Sequence, residues 1–167
     1  MRRHIFVFGF LLIVNSILLG QEKKIKVEIV DCISTKKNIS FCLRITNMSN
    51  KPIVTYLPKI DDICYGLIKI PIVELQNKKL YKFFPCASYA ADLDCIQTNS
   101  KNSISLNPKE KYNQYLNLNK KNIFPRLKKG RRYKFFVEWY LEGVCFKTDF
   151  KNLIQENIKS DEITLNI

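Results

Sequence analysis

The side chains here that could do chemistry are six cysteines, two close pairs of aspartates and a run of lysines and arginines. The cysteines are Cys32, Cys42, Cys64, Cys86, Cys95 and Cys145. None of their spacings is C-x-x-C, and the only histidine, His4, sits near the N-terminus. Zinc and thioredoxin-like chemistry therefore lack their ligands. Beyond His4 no Ser-His-Asp or Cys-His arrangement can form, and G-x-G-x-x-G, Walker A and H-E-x-x-H patterns are absent. Asp61 with Asp62, or Asp92 with Asp94, could supply a carboxylate pair to a glycosidase cleft or oxygen ligands to calcium. As acids in surface loops they read more simply as solvated charge. The sequence thus predicts no enzyme, no metal site and no cofactor.

The basic run is denser. Lys120, Lys121, Arg126, Lys128, Lys129, Arg131, Arg132 and Lys134 occur with no acid between them, and Phe124 and Tyr133 lie among them. Concentrated charge attracts polyanions such as acidic glycans, in a salt-sensitive way and without specific nucleic-acid recognition. Lys128, Lys129, Arg131 and Arg132 are the candidate contacts. The plain alternative is a solvated loop, because the whole chain is lysine-rich, with a formal net charge of +13.

A third feature is "PCASYAADLDC", Pro85 to Cys95, which is poor in charge and carries a cysteine near each end. A Cys86–Cys95 bridge would pre-organise residues 85–96 as a contact surface. Tyr89 and Leu93 are its bulky anchors for a protein partner.

The N-terminus sets the compartment in which these groups would work. Arg2 and Arg3 precede an apolar run from Ile5 to Leu19, and Gly20 offers a small residue at a cleavage site. The run is shorter than the about 20 residues of a spanning helix. Residues 1–20 therefore read as a cleavable signal peptide, and 21–167 as one domain of a secreted or periplasmic protein. Gln21 has no thiol to lipidate. No transmembrane segment is expected after cleavage, and a monomer is expected. In that oxidising compartment an even cysteine count predicts disulfides. Six cysteines leave fifteen connectivities open. Hairpin geometry favours Cys32–Cys42, loop proximity favours Cys86–Cys95, and Cys64–Cys145 remains.

The elements that must position these groups are strands. Ile25, Val27 and Ile29 alternate with polar residues, as do Ile39, Phe41, Leu43 and Ile45, across a polar turn at Ser34–Asn38. Pro52 and Pro58 bracket "IVTY", and Pro71 interrupts Leu67–Leu75, so both segments are expected at edges or bulges. Tyr133, Phe135, Val137, Trp139 and Leu141 share one face of the strongest strand. Phe150–Ile158 has helical spacing and is the one expected helix. Ile163, Leu165 and Ile167 form a last strand. About seven to nine short strands with turns between them predict an all-β, antiparallel sandwich.

Three stretches carry a resemblance: "RITNMSNKPI" (Arg44–Ile53), "SISLNPKEKY" (Ser103–Tyr112) and "LKKGRRYKFFVEWY" (Leu127–Tyr140), followed by "SDEITLNI" at the end. Together they resemble small secreted immunoglobulin-like domain proteins of the Bacteroidetes type. They are also similar to the Ig-like domain of the bacterial intracellular proteinase inhibitor family. The resemblance implies an immunoglobulin-like sandwich that acts by binding, to an unknown protein or an anionic glycan. It also raises an alternative, a proteinase inhibitor using the 85–96 loop. Its motifs mark turns and strands, so no inhibitory residue carries over.

Overall fold

The computed structural model describes residues 23–86 and 95–167. The expected signal peptide and the anchors Tyr89 and Leu93 lie outside the described residues. The strands, in chain order, are β1 (Ile25–Ser34), β2 (Asn38–Asn47), β3 (Ile53–Tyr56), β4 (Ile68–Lys69), β5 (Pro71–Glu74), β6 (Leu80–Phe83), β7 (Ile96–Gln97) and β8 (Ser103–Leu106). There follow β9 (Lys111–Asn119), β10 (Ile123–Phe124), β11 (Arg132–Phe135), β12 (Glu138–Trp139), β13 (Phe146–Lys147), β14 (Leu153–Ile154), β15 (Ile158–Lys159) and β16 (Ile163–Asn166). Among the described residues the only helices are two short 3₁₀ turns, Ile60–Tyr65 and Lys120–Asn122.

Period-two alternation builds one sheet, β1-β2-β9, antiparallel throughout. Its inner face is Ile25, Val27, Ile39, Phe41, Leu43, Ile45, Leu116 and Leu118, all buried. Opposite stands the five-stranded sheet β10-β6-β5-β11-β16, prolonged along the same chain directions by β4, β12 and β15. Phe41 meets Phe135 edge-on between the sheets, with centroids 5.3 Å apart. One hydrophobic cluster joins both inner faces. This is an all-β antiparallel sandwich, and the order β1-β2-β9 against β6-β5-β11-β16 is immunoglobulin-like. A tyrosine corner completes it. The Tyr133 hydroxyl accepts from Lys128 N at 2.6 Å and donates to Lys128 O at 3.3 Å, which pins the loop before β11.

Three expectations are corrected. Phe150–Ile158 is not a helix: Leu153–Ile154 pairs parallel with β3, and Ile158–Lys159 pairs with β12. The nine residues from Phe150 to Ile158 are too short a helix to be stable by themselves and do not outweigh pairing with ready-made partners. The Pro-bracketed β3 is central, between β14 and β8, because its prolines flank the strand and remove no ladder donor from it. Within Leu67–Leu75, β5 is central, between β6 and β11, while β4 is the outer strand beside β12. β4 and β5 keep one register against β12 and β11, with a gap at Ile70–Pro71 where the missing N–H falls.

Candidate functional site

Cysteine chemistry depends on which face each thiol reaches. Val30 pairs with Cys42 and Ile33 with Ser40, so Asp31 and Cys32 together face the single residue Phe41. This is a β-bulge, and Asp31 takes the left-handed φ of 52° that it requires. The extra residue turns Ile33 out to solvent and packs Cys32 against the core. Cys42 stays on the outer face of β2, buried between its cross-strand neighbours Val30 and Tyr115. The two thiols thus lie on opposite faces, and the expected Cys32–Cys42 bridge is absent. Burial pushes the Cys32 thiol up to about 11, and burial also raises Cys42. Neither carries appreciable thiolate at neutral pH.

The other four cysteines pair across segments. Cys64, in the first 3₁₀ turn, bonds Cys86 just after β6, with Cα atoms 5.7 Å apart. Cys95 bonds Cys145, with Cα atoms 4.5 Å apart. The expected Cys86–Cys95 and Cys64–Cys145 pairs are therefore replaced. The cause of the second pairing is a parallel ladder: β7 runs beside β13 with Ile96 opposite Phe146, so the residues just before them are neighbours. The Ile96 N–H donates to Cys145 O at 2.8 Å. The Cys64–Cys86 bridge ties the first 3₁₀ turn to the segment after β6, and Cys95–Cys145 ties the residues before β7 and β13.

The acids there are structural. Asp62 accepts from Tyr56 Oη at 2.9 Å and from Lys59 N at 2.6 Å, capping the 3₁₀ turn, while Asp61 is exposed. The two carboxylates do not converge on a cleft. Asp92 and Asp94 lie outside the described residues. No group of three metal-ligating side chains occurs among the described residues, and no helix there is long and apolar enough to cross a membrane.

One set of connections gathers charge. The β1–β2 turn and the β5–β6 turn are each bonded to the β9–β11 connection. Lys120 joins two of them: its N–H bonds Lys37 O at 2.8 Å and its Nζ bonds Thr35 O at 2.6 Å. Arg132 O accepts from Leu75 N at 3.0 Å and joins the third. Residues 34–38, 75–79 and 120–132 hold eleven lysines and arginines and no acid. The predicted Lys128, Lys129, Arg131 and Arg132 are all exposed here, and Lys36, Lys37, Lys78 and Lys79 join them. By contrast, the connecting segments 48–67, 95–110 and 140–157 hold six basic and six acidic side chains. The addition of the β1–β2 and β5–β6 turns to the basic connection is what the linear run alone did not show.

One acid lies under the basic connections. Glu74 is buried, accepts from Tyr81 Oη at 2.7 Å and stands 3.7 Å from the Arg131 Nε. The Tyr81 hydrogen bond, with Arg131 assisting, holds its carboxyl below the usual carboxylate range. A depressed folded value stabilises the fold above the ordinary pKa, and that contribution is lost as pH falls through the folded value. Acidification from about pH 5 to about pH 3 should therefore cost the wild type more stability than it costs Glu74→Gln, read as urea midpoints. Equal acid sensitivity of the two proteins would rule out this linkage.

No family model and no curated protein sequence matches the chain. Among solved structures it is similar to a β-glucosidase from Kluyveromyces marxianus. The selenomethionine-labelled enzyme aligns at a TM-score of 0.38 and 14% identity, over 84% of this chain and 14% of that one. The same enzyme with glucose aligns at 0.37 and 13%, again over 84% and 14%. The chain spans a small part of that enzyme, and a likeness this distant transfers no activity.

Proposed function

We propose that this protein is a non-catalytic binding module of an extracytoplasmic compartment that engages anionic polymers, glycans foremost, through its basic connections. The observation that carries the reading is that three connections joined by backbone hydrogen bonds, 34–38, 75–79 and 120–132, hold eleven basic residues and no acid, while segments 48–67, 95–110 and 140–157 are balanced. Such a surface focuses positive potential and draws polyanions by counterion release. The tyrosine corner and the Leu75–Arg132 bond hold the loop in place, so the cations are presented on a fixed backbone. Two disulfides support the oxidising compartment, where such bonds persist. The inhibitor alternative turns on residues 85–96, most of which lie outside the described residues, and no observation favours it.

Heparin is the probe for the test. Changing Lys128, Lys129, Arg131 and Arg132 to Ser should cut retention and lower the slope of log affinity against log salt by about 3. Changing Lys51, Lys101, Lys147 and Lys151 to Ser removes the same charge from the balanced segments and should leave retention near wild type. If both variants lose retention equally, net charge rather than the basic connections is responsible, and the reading fails.

A further inference from the structure

The strand β9 is the outer strand of its sheet. Two bonds set the phase of its hydrogen bonding: Asn47 N donates to Glu110 O at 3.1 Å, and Lys120 N to Lys37 O at 2.8 Å. In an antiparallel ladder such pairs recur every second residue. Residues 112, 114, 116 and 118 therefore spend their backbone groups on β2. Asn113, Tyr115 and Asn117 direct theirs away from the sheet, and these have no backbone partner among the described residues.

An open edge of nine residues is a template for further pairing, and proteins normally guard such edges with lysine, proline or a bulge. Beyond Lys111 at its start, β9 has none of these among the described residues. Tyr112 to Asn119 carries no charge, in a chain with 28 lysines and arginines. Its outward side chains Asn113, Tyr115, Asn117 and Asn119 are exposed, Tyr115 to 75%. No register shift interrupts its ladder with β2.

We infer that the occupant of this edge is β9 of a second copy, paired antiparallel about a two-fold axis at Tyr115. That axis sets Tyr115 beside Tyr115 of the second copy, Asn113 opposite Asn117, and Lys111 opposite Asn119. Tyrosine faces tyrosine, amide faces amide, and no like charges meet across the seam. The two-fold also answers the repulsion expected between two strongly basic molecules. β9 runs from the balanced segment 95–110 to the basic connection 120–132, so antiparallel pairing sends the two basic connections in opposite directions. The product is a single six-stranded sheet with both polyanion-binding surfaces free. The small contact makes it a concentration-dependent dimer.

Sedimentation velocity on the purified protein, disulfides intact, over a concentration series tests this. The wild type should pass from monomer to dimer as concentration rises. Asn113→Lys with Asn117→Lys places like charges across the seam at both positions and should raise the dissociation constant at least tenfold. Asn113→Lys with Asn117→Glu gives opposite charges at the same positions and should dimerise as well as wild type or better. Thermal melts of both variants check that the β2–β9 ladder survives. A wild type that stays monomeric at its highest soluble concentration overturns the inference, even if the edge then captures an extended peptide. So does a dimer that the two double variants affect alike.

Discussion

Loss of the Cys64–Cys86 bridge is expected to lower the unfolding free energy by about 3 kcal/mol, and loss of Cys95–Cys145 by about 4 kcal/mol. The difference follows from the sequence separations, 22 and 50 residues, since a longer closed loop removes more entropy from the unfolded chain. The two loops neither overlap nor nest, so to first order the effects add. Together they approach the whole stability of an ordinary domain, about 5–15 kcal/mol. Cys64→Ser with Cys86→Ser, and Cys95→Ser with Cys145→Ser, should each shift the urea midpoint down, the second pair more. Reduction of the wild type should shift it furthest. Non-reducing peptide mapping should find Cys32 and Cys42 as thiols. A Cys32–Cys42 peptide, or a midpoint indifferent to reduction, would contradict the pairing.

Truncation of Trp139 should be nearly as costly. Its side chain is 1% exposed, and Trp139→Ala leaves a cavity between the sheets worth about 3–5 kcal/mol. Its indole N–H has no hydrogen-bond partner among the described residues. A buried donor without a partner carries a desolvation cost that phenylalanine does not. Trp139→Phe should therefore cost well under half as much as Trp139→Ala in the same denaturation experiment. Equal costs would mean that neither the retained phenyl ring nor removal of the orphaned N–H brings any gain.

Much of the sandwich was legible because alternation is a local property. Period two puts Tyr133, Phe135, Val137, Trp139 and Leu141 on one face, and all five are buried. Ile25, Val27, Ile39, Phe41, Leu43 and Ile45 follow the same rule. A strand's two faces are set by the pleat, whichever neighbour it finds. The basic run was legible for the same reason, being contiguous in the chain.

What alternation cannot carry is the identity of the neighbour. Pro71 and the prolines around β3 were read as edge markers, yet both strands are central, because a proline blocks only the one ladder bond at its own nitrogen. The Phe150–Ile158 pattern suits a helix or two short strands equally, and the strands β3 and β12 decided it by offering pairing partners. One inserted residue at Asp31–Cys32 put two thiols on opposite faces that a regular hairpin would have kept on one. The four paired cysteines joined segments 22 and 50 residues apart, where no spacing rule reaches. Lys36, Lys37, Lys78 and Lys79 joined the basic run only because their turns are bonded to it in the folded chain. The sequence by itself determined which side chains face inward and how much charge the chain carries. Tertiary structure decided which thiols meet and where that charge collects, because both depend on contacts between segments remote in the chain, which only the assembled sheets bring together.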